Sequence, residues 1–239
     1  EDVTIEFTRL YIEMKESGEY TRSGFLRRAA AAVKGIYVPS LYEVSYNADG
    51  TIKEYTPVRA DISPRIVRRV VTDLDAAYFP RRLVMPYIET VHDRIMLEVA
   101  RGCIRGCRFC QAGMVCRPVR ERSPELLDRQ AQELFYATGY DEISLCSLSV
   151  SDYTRLPELT GRLLGWTDDC MVSLSLPSLR VDSFSVELME KAASVRASAL
   201  TFAPEAGTQR LRDVINKNVT DEDIENAVRV AFGFGGSET

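Results

Sequence analysis

The stretch Ile95-Met-Leu-Glu-Val-Ala-Arg-Gly-Cys103-Ile-Arg-Gly-Cys107-Arg-Phe-Cys110 decides how this chain is read. Its first half is an apolar run of strand character. Its second half sets three cysteines at C-x3-C-x2-C spacing, with a glycine before the first and the second. Three thiolates so close in sequence can face one small inorganic core, provided that the backbone wraps tightly and tolerates unusual dihedrals. Gly102 and Gly106 permit that wrap. A cubane of four irons would take three protein sulfurs here and leave its fourth iron open, and an open iron is a substrate or cofactor site.

Downstream, the pattern repeats as strand then helix. A helix is predicted from Ser123 as N-cap, with Pro124 in its first turn, apolar residues Leu126, Leu127, Leu134 and Phe135, and a stop at Gly139. The next strand is read over Glu142–Leu148 and its helix around Leu156–Trp166. A third strand follows at Met171–Leu176, with a helix from Ser185 to about Val195. The fourth unit pairs a strand at Ala199–Ala203 with a helix capped by Thr220, whose partner Asp223 completes a capping box. Strands alternating with helices of this length argue for parallel βαβ units with right-handed crossovers. The sheet should be curved or barrel-like, with chemistry at the carboxyl ends of its strands, where the cysteine loop lies.

Residues 1–92 read differently. Val3, Phe7, Leu10, Tyr11 and Met14 recur at helical spacing, as do Phe25, Leu26, Ala29, Ala30 and Val33, so two short helices broken at Gly18 and Gly35 are predicted. A hairpin follows, with strands at Leu41–Tyr46 and Thr51–Tyr55 and turn chemistry at Asn47-Ala-Asp-Gly50. The pattern turns helical again from Pro64 through Phe79, and Pro80 and Pro86 mark a connector.

Composition bounds the rest. With 239 residues, 45% apolar and 27% charged, the chain can bury a sizeable core and is unlike disordered or collagen-like sequences. Its longest apolar run is five residues, Ala29 to Val33, against about 20 for a bilayer-spanning helix. It opens Glu1-Asp2 without a basic n-region or apolar h-region, and the expectation is a segment that begins inside a longer protein. A net charge of −5 argues against indiscriminate binding to nucleic acid or anionic membranes. Between Arg94 and Arg122, however, seven arginines stand against two glutamates. They read as compensation for a thiolate-held cluster, as a solvated rim, or as a receptor for an anionic substrate. Four of six cysteines, Cys103, Cys107, Cys110 and Cys116, crowd together, which reads as metal binding in a reducing, cytoplasmic compartment. Cys116, Cys146 and Cys170 read as buried or incidental thiols, and His92 as structural.

With Phe109 in the aromatic slot of a C-x3-C-x-aromatic-C loop after a first strand, the chain resembles the radical SAM superfamily. The resemblance implies a [4Fe-4S] cluster on Cys103, Cys107 and Cys110, whose unique iron is chelated by S-adenosylmethionine (SAM). It further implies reductive cleavage to methionine and a 5′-deoxyadenosyl radical that abstracts hydrogen from a substrate. The implied fold class is α/β, a partial (βα)n barrel of the radical SAM type, with four βα units and a stub of a fifth at Phe232–Thr239 where six are usual. Residues 93–239 would be that core, incomplete at its C-terminus, and residues 1–92 a small α+β connector. An open cavity and weak activity are expected of such a chain. The runs Gly35-Ile-Tyr-Val-Pro-Ser-Leu-Tyr-Glu-Val44, Phe109-Cys-Gln-Ala-Gly-Met114, Arg117-Pro-Val-Arg-Glu-Arg-Ser123, Ser147-Leu-Ser-Val-Ser-Asp-Tyr153 and Pro204-Glu-Ala-Gly-Thr208 are similar to radical SAM proteins with an upstream cobalamin-binding-like domain. That implies cobalamin on a domain absent from this chain, upstream and downstream domains as partners, and a flavodoxin-like or ferredoxin-like electron donor.

The resemblance also implies SAM contacts. Phe109 stands in the cluster loop. Ser147 and Ser149 occupy a strand end where relatives carry glycines for the methionyl amine, although serines there equally read as turn chemistry. Ser178 and Arg180 end the third strand, with Arg180 placed to pair the cofactor carboxylate, and Glu205 stands where relatives touch ribose or methionine. Two alternatives stay open. One is methyl or methylthio transfer to RNA or protein, which the basic loop permits and the net charge does not encourage. The other is a zinc-stabilised binding module using Cys103, Cys107, Cys110 and Cys116.

Overall fold

The computed structural model describes residues 2–88, 90–177, 179–183 and 202–233, and the chain forms two compact units, Glu1–Thr72 and Asp73–Thr239. In the first, α1 (Asp2–Glu16) and α2 (Arg22–Ala32) form where apolar periodicity predicts them. Leu10 and Met14 close on Phe25, Ala29 and Val33, and the Thr21 hydroxyl caps α2 by accepting the Gly24 N–H at 3.1 Å. The hairpin of β1 (Tyr42–Tyr46) and β2 (Ile52–Pro57) is antiparallel. Its turn is closed by the Gly50 N–H on the Asn47 carbonyl at 3.0 Å and by the Asp49 carboxylate on the Thr51 N–H at 3.0 Å.

The helix expected over Pro64–Phe79 does not form; the stretch is irregular and Leu74 is its one fully buried residue. Branched Ile66, Val67, Val70 and Val71 lose rotamer freedom in a helix, and the local polar groups are engaged otherwise. Arg69 pairs with Glu6 at 2.7 Å, and the Asp73 carboxylate accepts the Asp75 N–H at 2.9 Å. The division after Thr72 also places residues 73–92, expected with the connector, in the second unit. The Leu74 carbonyl accepts from Arg122, and the Asp75 carboxylate accepts the Ser123 N–H at 2.8 Å.

The second unit runs β3 (Ile95–Glu98), β4 (Ala100–Arg101), α3 (Gln111–Val115), β5 (Arg120–Glu121), α4 (Pro124–Thr138), β6 (Glu142–Cys146), α5 (Leu156–Thr167), β7 (Ser173–Ser175), α6 (Gln209–Val214) and α7 (Asp221–Gly233). Strands β3, β6 and β7 make a parallel sheet with β6 central, in register Ile95↔Ile143 and Glu142↔Ser173. This is the α/β arrangement that alternating strands and helices predict. Strand β3 buries Ile95 and Leu97 and exposes Met96, whereas central β6 buries Ile143, Ser144 and Leu145 together. Leu127, Ala131 and Leu134 of α4 and Leu159 and Leu163 of α5 complete the core. Helix α4 starts after Ser123 with Pro124 at its first position and ends where Gly139 takes left-handed backbone (φ 72°). The α7 capping box forms, with the Asp223 N–H on the Thr220 hydroxyl at 3.1 Å and the Thr220 N–H on the Asp223 carboxylate at 2.8 Å.

Strand bounds are shorter than expected. The first ends at Glu98 because Ala100–Arg101 leaves the parallel sheet to pair antiparallel with Arg120–Glu121. The third starts at Ser173, after Met171 in left-handed backbone (φ 57°). Phe202 and Ala203 of the expected fourth strand are not in a strand. The rest of that strand, the helix from Ser185 to Val195 and most of the stub at Phe232–Thr239 lie outside the described residues. Helices α3 and α6 were not anticipated.

Candidate functional site

The β4–β5 ladder pinches residues 102–119 into a closed loop just past the carboxyl end of β3. Gly102 makes the pinch feasible. Its φ is +92°, and a Cβ there would sit 2.7 Å from the Cys116 carbonyl oxygen and 2.8 Å from that of Pro118. Inside the loop, backbone amides turn toward sulfur. The Arg105 N–H donates to the Cys103 Sγ at 3.4 Å, and the Gly113 N–H donates to the Cys110 Sγ at 3.2 Å, where Cys110 caps α3.

Cys103, Cys107 and Cys110 are half-buried and share the lining of one cavity of about 370 Å³. Its apolar wall comes from Phe109, Leu148, Leu179, Val181 and Ala203, and its polar groups include Ser149, Arg180, Glu205 and Lys217. Four of the expected contact residues, Phe109, Ser149, Arg180 and Glu205, thus meet the three cysteines. The Ser149 hydroxyl is buried without a hydrogen-bond partner among the described residues. Ser147 does not line the cavity; its hydroxyl accepts the Ser149 N–H at 3.1 Å, ordinary turn chemistry. Ser178 lies outside the described residues. Glu205 holds left-handed backbone (φ 70°) and pairs with Lys217 at 3.0 Å. Arg180, expected to be at hand for a ligand carboxylate, is already held by Asp182 at 2.8 Å and donates to the Lys217 carbonyl at 2.8 Å. His92 is exposed.

Each of the seven arginines has a partner within the unit, although Arg108 and Arg117 remain exposed. Arg94 pairs with Glu142, Arg101 with Glu98, and Arg105 with Asp152 and Asp182. Arg117 donates to the Cys103 and Arg105 carbonyls, Arg120 to those of Cys116 and Pro118, Arg108 to that of Val214 and Arg122 to that of Leu74. Outside the short helix α3 the loop leaves carbonyls without backbone partners, and guanidinium forks satisfy them. The bonds hold Arg105 further above the ordinary guanidinium range, first through Asp152. Burial is the largest single influence on the Asp152 carboxyl and pushes it up, but the hydrogen bond from Arg105, the nearby Ser149 hydroxyl and the charges of Arg105 and Arg180 together outweigh it, and the net shift is downward. Sequence reasoning missed Arg105, Asp152, Asp182 and Lys217 as site residues. The one visible signal was Asn216-Lys-Asn218, since asparagine favours the left-handed backbone both asparagines adopt (φ 55° each).

Cys146 and Cys170, expected to be buried or incidental, are exposed; partial desolvation and then the nearby Glu98 charge push the Cys146 thiol up. Among the described residues no three His, Cys, Asp or Glu side chains converge closely enough to hold a metal ion. One zinc needs its sulfurs gathered at about 2.3 Å from a single centre, so the zinc-module alternative gains no support. A four-iron core is a different fit, because each thiolate bonds its own iron and the sulfurs stand around the core. Three cysteine sulfurs on one cavity wall, two of them receiving backbone N–H groups, suit that donor set.

A family model described as the radical SAM superfamily matches residues 97–238. Uncharacterized protein MJ0966 of Methanocaldococcus jannaschii is 39% identical over 140 residues, covering 59% of this chain and 30% of that protein. Among solved structures, the cobalamin-dependent S-adenosylmethionine radical enzyme OxsB, with aqua-cobalamin and S-adenosylmethionine bound, superposes with a TM-score of 0.54 at 15% identity. That match covers 94% of this chain and 30% of the other, and at such identity it speaks for the fold alone. The chain spans about 30% of the length of each relative.

Proposed function

Since the chain belongs to the radical SAM superfamily, we propose that Cys103, Cys107 and Cys110 hold a [4Fe-4S] cluster and that SAM occupies the adjoining cavity. The observation that carries this reading is the convergence of all three loop cysteines on one cavity lined also by Phe109, Ser149 and Glu205. Bound there, the pair would supply reductive cleavage of the sulfonium to methionine and a 5′-deoxyadenosyl radical, the agent that removes hydrogen from a substrate.

The chain's own residues do the rest. The Arg105 and Gly113 N–H groups stabilise thiolate at Cys103 and Cys110. Phe109, Leu148, Leu179, Val181 and Ala203 supply apolar surface to the cavity. The buried hydroxyl of Ser149 and the Glu205–Lys217 pair offer polar contacts to the methionine and ribose parts of the cofactor. Arg180 keeps its neighbours in place, with the carboxylate role expected of it taken by Asp182.

Cobalamin enters as a proposal through OxsB, which binds it, and a small flavodoxin-like or ferredoxin-like donor is the partner this chemistry asks for. A reducing, cytoplasmic setting goes with that reading; among the described residues no helix is long and apolar enough to cross a membrane. Transfer to RNA or protein is the second reading; the loop's guanidiniums have partners inside the unit, with Arg108 and Arg117 still exposed. Anaerobic incubation with iron, sulfide, SAM and dithionite should yield 5′-deoxyadenosine slowly, and Cys107→Ala should yield none. Product formation unchanged by Cys107→Ala would overturn the reading.

A further inference from the structure

Arg105 sits between two of the cysteines and faces two ways. Its backbone N–H bears on the Cys103 sulfur at 3.4 Å, while its guanidinium crosses to two other strand ends. It forks onto Asp152, with Nε 2.9 Å from Oδ2, and Nη1 reaches the Asp182 Oδ2 at 3.1 Å. Asp182 in turn holds the Arg180 Nε at 2.8 Å, and the Arg180 Nη2 donates to the Lys217 carbonyl at 2.8 Å. Next to Lys217, the Asn216 side-chain amide returns to the Gly106 carbonyl at 2.8 Å, and the Arg108 N–H meets the Ile215 carbonyl at 2.9 Å. The bonds form a closed circuit that leaves the cysteine loop, passes through two other segments at 180–182 and 216–217, carries Asp152 as a branch, and comes back one residue from where it started. Its acids are largely withdrawn from water, with the Asp152 and Asp182 side chains 11% and 14% exposed, and the Arg105 guanidinium bridges the two.

We propose that Arg105 is a positioning residue for the cluster: the circuit fixes its backbone so that its N–H bears on the Cys103 thiolate, and that bond, rather than the guanidinium charge, tunes the reduction potential. The inference rests on the cluster reading above. A hydrogen bond to a ligand sulfur favours the reduced, more negative state of the core, so releasing it lowers the potential.

Two variants break the circuit without changing charge. Arg105→Lys keeps the cation but loses the planar fork, and Asn216→Gly keeps left-handed backbone while removing the amide. Each is reconstituted in the full chain and titrated anaerobically, with the reduced cluster followed by electron paramagnetic resonance. Both should bind iron as the wild type does. At a fixed potential each should show a ratio of reduced to oxidised cluster about tenfold lower, a shift of about 59 mV for a one-electron couple. Leu163→Ala, in the core away from the cavity, should lose stability and keep the wild-type potential. If Arg105→Lys and Asn216→Gly titrate at the wild-type potential and Arg105→Gln alone is shifted, the charge acts directly and the inference fails. Should Arg105→Lys not fold, Asn216→Gly decides alone. A wild-type chain that takes up no iron overturns the cluster reading and the inference together, whereas iron uptake with unshifted variants overturns the inference only.

Discussion

The parallel sheet with its two helices and the cysteine loop at its edge are neighbours in one unit, yet different forces hold them. The sheet layer is apolar and redundant. Ile95, Leu97, Ile143 and Leu145 are fully buried against Leu127, Leu159 and Leu163, and no single contact defines the arrangement. The loop has little core of its own. It is held by a two-residue ladder, by guanidinium bonds to its carbonyls and by the circuit through Asp182 and Asn216. The layer should therefore fail gradually under substitution and the loop abruptly, and chemistry should be lost from the loop without loss of the layer.

The sharpest separation is expected from Cys107→Ala. Iron uptake on anaerobic reconstitution should vanish while far-ultraviolet circular dichroism stays that of the wild type; retained iron at wild-type stoichiometry would erase the distinction between scaffold and loop. The converse substitution, Leu159→Ala, empties a fully buried position and should cost about 2–5 kcal/mol in denaturant unfolding. Iron binding by the folded fraction should be unaffected.

These two regions were also unequally legible. The layer was readable because burial imposes a period, and Pro124, Gly139 and the Thr220–Asp223 box mark helix ends by local chemistry. The same reasoning failed over Pro64–Phe79, where branched apolar residues at helical spacing mark an irregular strap. The three cysteines stand out by their spacing, by the glycines before two of them and by Phe109, whereas the residues that brace their loop do not. Arg105 meets Asp152 and Asp182 at separations of 47 and 77 residues, and nothing local in the sequence links them. The arginine cluster looked like a surface field because the acidic partners of Arg94 and Arg105, namely Glu142, Asp152 and Asp182, lie outside the basic stretch, and other guanidiniums bond backbone carbonyls that no sequence pattern marks.

A smaller effect probes the loop's backbone. Gly102→Ala forces a side chain into positive φ and against two carbonyls, which should cost about 1–3 kcal/mol, read as a lowered unfolding midpoint. Iron affinity should fall with it, unlike in Leu159→Ala. Least in size is the acid response. Burial is the largest single influence on the Glu98 and Asp152 carboxyls and raises both, but Arg101 and Arg122 at Glu98, and Arg105, Ser149 and Arg180 at Asp152, together outweigh it, and both end below their ordinary values of 4.5 and 3.8. The unfolded chain then binds protons first. Their contribution is full above about pH 5 and is lost as pH falls through the lowered folded values. Urea midpoints measured between pH 6 and pH 3 should decline, and Asp152→Asn should flatten part of that decline; an identical slope in the variant would remove Asp152 from the account.

The central claim is that this loop carries a cluster with one iron left open toward the cavity. Electron paramagnetic resonance of the reconstituted, dithionite-reduced chain tests it directly. The account predicts a reduced [4Fe-4S] signal that changes shape when SAM is added, and a signal that is absent, or that SAM leaves unaltered, would contradict it.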